Sequence, residues 1–237
     1  MRDIITIPLN NEESLIIASD NSGGIGMKEH DLVRVSYETV AYYSFRVAAM
    51  ECIAAGGELV SVVLHNFCGD ASWSKLVNGI QKGLDELNLK DIPITGSTES
   101  NFNLEQSAVG LVVIGKKSLD KKTDKIFSKN LKLAVIGMPL VGNEVIDLAH
   151  EVVPLSTFQE VSKLEDILIW PIGSKGILTE LNQMFPTKEF SKEMICTELD
   201  IVKSSGPATC FIIAFEQCQE EDIIRLTAKY FHSIDVK

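Results

Sequence analysis

The most constraining feature of the sequence is a short apolar run, Leu15–Ser19, that leads without a break into Asp20-Asn21-Ser22-Gly23-Gly24-Ile25-Gly26-Met27-Lys28. A β-rich run that ends in clustered glycines and precedes a helical pattern predicts a strand–loop–helix unit of an α/β protein. Such glycines let backbone N–H groups approach an anion. Asp20 adds a hard oxygen ligand and Lys28 a cation. The same residues also make an ordinary surface turn, and from the residues alone both readings stand. The Gly-Lys-Ser/Thr ending of a Walker loop is missing.

The pattern continues as alternating elements. Ser36–Ala55 is expected to be a helix, with Ser36 as N-cap and Gly56-Gly57 as its stop. Leu59–Phe67 reads as a strand. Ser72–Leu89 reads as an amphipathic helix, because Trp73, Leu76, Val77, Ile80, Leu84 and Leu87 recur on one face. Ile92–Thr95, Ala108–Ile114, Leu131–Ile136, Asp166–Trp170 and Thr209–Phe215 are further expected strands. Gly142–His150, Ser174–Phe185 and Glu220–Phe231 are expected helices. The polar stretch Lys116–Asn130 separates two regions, 1–118 and 130–237, and its lysines read as a solvated linker.

Composition narrows the function classes. A net charge of -11 over 237 residues, with scattered Lys and Arg, argues against a phosphate-backbone interface and so against a nucleic-acid partner. No run approaches the roughly 20 apolar residues of a membrane helix, and Met1–Pro8 has no apolar leader core. Five cysteines without a C-x-x-C pair read as reduced thiols of a cytoplasmic protein. Four scattered histidines argue against a zinc site.

Further constellations carry candidate chemistry. Glu51 lies in the alanine-rich stretch Ala48–Gly57, either facing a site or on the wet edge of its helix. Ile94-Thr95-Gly96-Ser97-Thr98-Glu99-Ser100-Asn101 gathers a glycine, hydroxyls and a carboxylate in one expected turn, a phosphate or metal site or a plain turn. Gly137–Glu144 has Walker-like glycine spacing with Asn143 in the lysine position, and reads better as a strand–turn–helix. Gly173-Ser174-Lys175-Gly176 opens a helix, as a cap or an anion site. Asp31 and Asp70 are loop acids and candidate bases.

Taken in order, these pieces resemble the aminoimidazole ribonucleotide synthetase superfamily, which includes selenophosphate synthetase, thiamine-monophosphate kinase and a hydrogenase-maturation dehydratase. The resemblance runs through Asp20 with Gly24-Ile25-Gly26-Met27-Lys28, then Met50-Glu51 before Gly56-Gly57, then Gly96-Ser97-Thr98-Glu99. In the second half it continues in Pro171–Leu178 and Gly206-Pro207-Ala208-Thr209. It departs where Glu51 replaces the family's Asp and where Ser97-Thr98-Glu99 replaces an adjacent acid.

The resemblance implies an α+β fold in α/β layers: an N-terminal ATP-binding mixed sheet with helices on one face, and a smaller C-terminal α/β domain. It implies a homodimer that binds ATP and Mg²⁺. Asp20 and Glu51 would be catalytic, and Asp20, Glu51 and Glu99 the metal ligands. Asn21, Gly23, Gly24, Gly26, Lys28, Asn66, Gly96, Ser97 and Thr98 would contact the nucleotide. The size and the Gly-Ser-Thr-Glu motif are most similar to α-ribazole kinase, which implies phosphoryl transfer to a nucleoside-like small molecule. The alternatives are a nucleotide-binding protein without turnover, or another activity of the superfamily such as thiamine-monophosphate kinase.

Overall fold

The computed structural model describes residues 4–119, 126–128 and 130–237. The described residues fall into two compact units that part between residues 119 and 126. Part of the expected linker, 120–125, lies outside the described residues.

The first unit opens with β1 (Ile4–Pro8) and β2 (Glu13–Gly23), followed by the short pair β3 (Ile25–Gly26) and β4 (Val33–Arg34). Helix α1 (Tyr37–Ala54), β5 (Glu58–Asn66), α2 (Trp73–Glu86), β6 (Ile94–Thr98) and β7 (Ala108–Ser118) complete it. One five-stranded sheet runs β1-β2-β7-β5-β6, in which only β5 and β6 are parallel. Alternate residues of β2, Ser14, Ile16 and Ala18, are buried on the face that α1 covers. Ser36 caps α1 as expected, its Oγ accepting from the Thr39 amide at 3.2 Å.

Helix α2 packs alongside α1 through the apolar stripe read from the sequence, with Leu76, Ile80, Leu84 and Leu87 buried. Gly79 and Gly83 permit this closeness: a Cβ would lie 2.2 Å from the Glu38 carbonyl at the first and 2.3 Å from the Phe45 ring at the second. Side chains larger than hydrogen would push the helices apart.

The second unit contains β8 (Leu131–Ile136), α3 (Glu144–Asp147), α4 (Leu155–Ser162), β9 (Leu168–Pro171), α5 (Gly176–Met184), β10 (Ile195–Cys196), β11 (Phe211–Glu216), α6 (Glu220–Thr227) and β12 (Phe231–Val236). Its sheet is antiparallel throughout, in the order β10-β12-β8-β11-β9. The central strands β8 and β11 are buried on both faces, which is why they read as unbroken apolar runs. One face packs Ile177, Leu181 and Met184 of α5 against Leu133, Val135, Trp170 and Ile212. On the other, Phe158 of α4 meets Phe211 edge to face at 5.0 Å.

Several expectations are corrected. The segment Asp20–Gly23, expected in a loop, is the last part of β2, paired residue by residue with Ala108–Leu111. Gly142–His150 is a four-residue helix and a 3₁₀ turn, not one helix. The closing helix stops at Thr227, and the chain then forms β12, which pairs with β8 and β10. Strand β1 and helix α4 were not expected.

Candidate functional site

Strands β2 and β5 both pair antiparallel with β7, so they point the same way. The C-terminal ends of β2, β5 and the parallel β6 therefore share one end of the sheet. Three segments leave from that end: Gly24–Asp31, Phe67–Ser72 and Glu99–Ser107. Between them lies a cleft of about 560 Å³ lined by Lys28, Glu29, Phe67, Cys68, Asp70, Glu99, Phe102 and Glu105, among others.

The glycine segment is held from within. Asp31 is the centre of this arrangement and is only 9% exposed. Its Oδ1 accepts from the Ser107 amide at 2.7 Å, and its Oδ2 accepts from the Ser107 hydroxyl at 2.7 Å and the Lys28 amide at 2.8 Å. Because the Ser107 hydroxyl donates to Asp31, the Tyr37 hydroxyl 3.3 Å away is the donor to Ser107. Burial works against the Asp31 charge. The hydrogen bonds from the Ser107 side chain and backbone and from Lys28 outweigh it, and hold the carboxyl below its ordinary value. Asp31 is thus an ionised anchor with both oxygens engaged, and this argues against its role as a base.

The same network explains the glycines. A Cβ on Gly26 would lie 2.5 Å from the Ser107 Oγ and 3.0 Å from the Asp31 Oδ2. Gly24 sits at φ +69° and donates its amide to the Ser107 carbonyl at 2.8 Å. The Gly24 amide, expected to meet phosphate, is spent on the fold, and so is the Lys28 amide. Lys28 reaches the cleft, where its Nζ donates to the Phe67 carbonyl at 3.1 Å and the Leu104 carbonyl at 2.9 Å.

Asn66 is buried and fully used. Its Nδ2 donates to the Gly69 carbonyl and to Thr98 Oγ1, each at 3.0 Å. Its Oδ1 accepts from the Cys68 amide at 2.8 Å and the Ser72 hydroxyl at 3.0 Å. The single Ser72 proton goes chiefly to the Gly69 carbonyl at 2.6 Å, yet both amide protons and the Oδ1 of Asn66 are engaged, so the structure makes Asn66 the clamp of the 66–72 turn in place of the expected nucleotide contact. Gly96 is required by packing: a Cβ there would sit 1.8 Å from the Leu64 carbonyl and break the β5–β6 pairing. Glu99 borders the cleft and folds back, its Oε1 accepting from the Asn101 and Phe102 amides at 2.7 and 3.2 Å.

The expected metal ligands do not converge. Asp20 lies within β2, and Glu51 in the last turn of α1, about 20 Å along the helix axis from Tyr37. The tight turn 55–57 returns the chain into β5, which puts the C-terminal turn of α1 at the end of the sheet away from the cleft. The neighbouring Cys52 confirms this level, since its Sγ packs against Gly57 and Gly115. Gly115 pairs with Ile16, about 13 Å along β2 from Asp20. Among the described residues no group of three His, Cys, Asp or Glu side chains is placed to hold a metal ion. Asp20, Glu51 and Glu99 therefore do not fit one Mg²⁺ as a donor set.

Of the expected site residues, Lys28, Glu99 and the candidate base Asp70 line the cleft. Asn21, Gly23 and Ser97 lie on strands, on the sheet face away from α1. The residues not expected are Ser107, Phe67, Phe102 and Glu105. Phe102, an aromatic in a polar stretch, carried a readable signal, whereas Ser107 carried none.

In the second unit, the Gly137–Glu144 turn is closed by Thr209, whose hydroxyl donates to the Met138 carbonyl at 2.7 Å and accepts from the Leu140 amide at 3.0 Å. The opening of α5 is occupied too: the Leu178 amide donates to the Ile201 carbonyl at 2.9 Å. Neither is an open anion site.

The chain matches no protein-family profile and no curated protein sequence. Solved structures do match. Phosphoribosylformylglycinamidine synthase II from Thermotoga maritima aligns with a TM-score of 0.63 at 10% identity, covering 100% of this chain and 42% of that one. This chain thus spans about two fifths of the length of that enzyme. T. maritima PurL also aligns, with a TM-score of 0.65 at 10% identity over 100% of this chain and 42% of that one, and its structures exist with ADP, AMPPCP, ATP and FGAR. A chain of the HypE–HypF complex aligns with a TM-score of 0.60 at 12% identity, covering 98% of this chain and 87% of that one. A protein from Thermus thermophilus aligns with a TM-score of 0.63 at 12% identity, covering 99% and 86%. Two α/β units in this order, with a mixed sheet under two helices and then an antiparallel sheet between helices, give the chain the fold of the aminoimidazole ribonucleotide synthetase superfamily.

Proposed function

We propose that this protein binds an adenine nucleotide, ATP first, at the cleft end of its N-terminal sheet, and uses it to phosphorylate a hydroxyl of a nucleoside-like small molecule, with α-ribazole the first acceptor to test. The observation that carries the reading is the meeting of three segments around one cleft, in a fold that T. maritima PurL presents with ADP, AMPPCP and ATP. Lys28 keeps one ammonium N–H beyond its two carbonyl bonds, and this is the donor offered to a ligand. Thr98 accepts from Asn66 and retains its own hydroxyl proton to donate. Glu99 and Asp70 are the carboxylates nearest the ends of β6 and β5.

A second reading, nucleotide binding without turnover, is favoured by the separation of Asp20, Glu51 and Glu99. Calorimetric titration with ATP, followed by incubation with Mg²⁺, ATP and α-ribazole and ³¹P NMR of the products, separates the two. A new phosphomonoester supports transfer. ATP binding without ADP formation selects the second reading, and no ATP binding at millimolar concentration sinks both. Product from thiamine monophosphate instead would move the acceptor to that class.

A homodimer completes the reading. Ile5 and Ile7 are 61% and 42% exposed on the sheet face away from α1, and a second copy would cover them. A monomer in sedimentation at working concentration would contradict it. With five free thiols, the reducing cytoplasm is the compartment in which we place the protein.

A further inference from the structure

We infer that the cleft holds the nucleoside part of its ligand, a flat heteroaromatic ring with its sugar, and turns phosphate groups away. This rests on the nucleotide-binding reading above and fixes which part of the ligand enters. The lining is unbalanced in charge: Glu29, Asp70, Glu99 and Glu105 face the same space as Lys28. The Lys28 ammonium already spends two of its three N–H groups on the Phe67 and Leu104 carbonyls. A phosphate placed here meets four carboxylates against one engaged ammonium and the His30 imidazole, and each added phosphoryl charge raises the repulsion.

The aromatic lining offers the opposite surface. Phe102 is 77% exposed and Phe67 is 39% exposed, both bordering the cleft. Apolar rings left in water gain by stacking against another ring. A neutral or cationic heterocycle gains that contact without meeting the carboxylates as an anion, and a cationic one is attracted by them as well. The cleft volume of about 560 Å³ is in the range of small-molecule sites, about 300–1,000 Å³. Two sources supply a nucleoside: the adenosine end of ATP, whose phosphates then point to solvent, or the nucleoside acceptor.

The test is calorimetric titration with adenosine, ATP, pyrophosphate and α-ribazole, at low ionic strength and without divalent cations. The expected result is that one of the nucleosides binds at least tenfold more tightly than ATP and that pyrophosphate does not bind. The gap narrows as salt approaches about 0.15 M, where charges are screened over about 8 Å. The Phe102→Ala variant, altered at an exposed ring and checked for folding by circular dichroism, weakens nucleoside binding about tenfold. The double variant Glu29→Gln/Glu105→Gln tightens ATP binding at least threefold and leaves nucleoside binding unchanged. Adenosine binding more tightly than α-ribazole assigns the cleft to ATP's nucleoside, and the reverse order assigns it to the acceptor. Tighter binding of ATP or pyrophosphate than of either nucleoside overturns the inference. So does nucleoside binding that is indifferent to Phe102→Ala. Where adenosine is the tighter nucleoside, ATP binding that Phe102→Ala leaves unchanged does the same, yet leaves the proposed nucleotide binding standing. Binding of none of the four overturns both.

Discussion

Replacing Asp31 by alanine tests the hub that organises the cleft. The substitution strands three donors at once: the Ser107 amide, the Ser107 hydroxyl and the Lys28 amide, each now within 2.8 Å of a carboxylate oxygen. A hydrogen bond to a charged group contributes about 1.5–3 kcal/mol, and orphaned partners in a dry site carry a desolvation cost. Some relief comes from the surface, because water can reach a residue that is 9% exposed. The net loss should be about 3 kcal/mol. That corresponds to a Tm lower by about 10 °C for a unit of this size. Urea unfolding followed by fluorescence in a Trp170→Phe background assigns the loss, because Trp73 then reports from α2 of the affected unit. Ser107→Ala should cost about 1 kcal/mol, since the amide bond from Ser107 to Asp31 survives. The two substitutions should couple by about 1–2 kcal/mol in a double-mutant cycle.

The pH dependence follows with a definite sign. The Asp31 carboxyl is lowered in the folded protein, so its contribution is fully present above the unfolded carboxylate value of about 4 and is lost as pH falls below that. The Asp31→Asn variant should therefore show a flatter acid limb than the wild type. An Asp31→Ala variant within about 0.5 kcal/mol of the wild type would refute the reasoning, because changes of that size are typical of surface sites without partners.

Gly96→Ala should destabilise the first unit by at least about 3 kcal/mol, because its Cβ meets the Leu64 carbonyl at 1.8 Å, while Gly23→Ala, with nothing within 4 Å, should fall within about 0.5 kcal/mol of the wild type; thermal melts compare them directly. Asn66→Ala should cost about 2–3 kcal/mol in chemical denaturation, since the hydrogen bonds of a buried side chain to Gly69, Thr98 and Cys68 are lost. Glu51→Ala should leave ATP affinity within about twofold by titration, because the C-terminal turn of α1 lies at the far end of the sheet; a tenfold loss would return Glu51 to the site. In a native thiol-labelling experiment the exposed Cys196 and Cys218 should react first and Cys52 last, because burial pushes the Cys52 thiol up to about 12.

Local pattern made much of this fold legible. The 3.6-residue period of Leu76, Ile80, Leu84 and Leu87, the Ser36 cap and the Gly56-Gly57 stop fixed α1 and α2 to within a few residues. The unbroken apolar run of β8 was read with its ends in place. The elements that escaped were those whose signal is weak by itself. Strand β12 follows a polar helix, breaks the period-2 alternation at His232-Ser233, and becomes a strand by pairing with β8. Asp20–Gly23 looks like a loop by composition and is a strand because Ala108–Leu111 lies beside it.

The site divides in the same way. Asp20 to Lys28, Asn66 and Gly96–Glu99 lie towards the end of the sheet where the cleft opens. Sequence alone determined which polar groups are available there. Only the tertiary structure decided how they are used: Asp31 and Ser107, 76 residues apart, satisfy each other, and Asn66 binds its own turn and Thr98. Glu51 and Asp20, alike as carboxylates in the sequence, are carried to different levels of the sheet. Periodicity and caps are properties of neighbours in the chain, whereas a hydrogen bond is a single choice among all groups that folding brings within 3 Å.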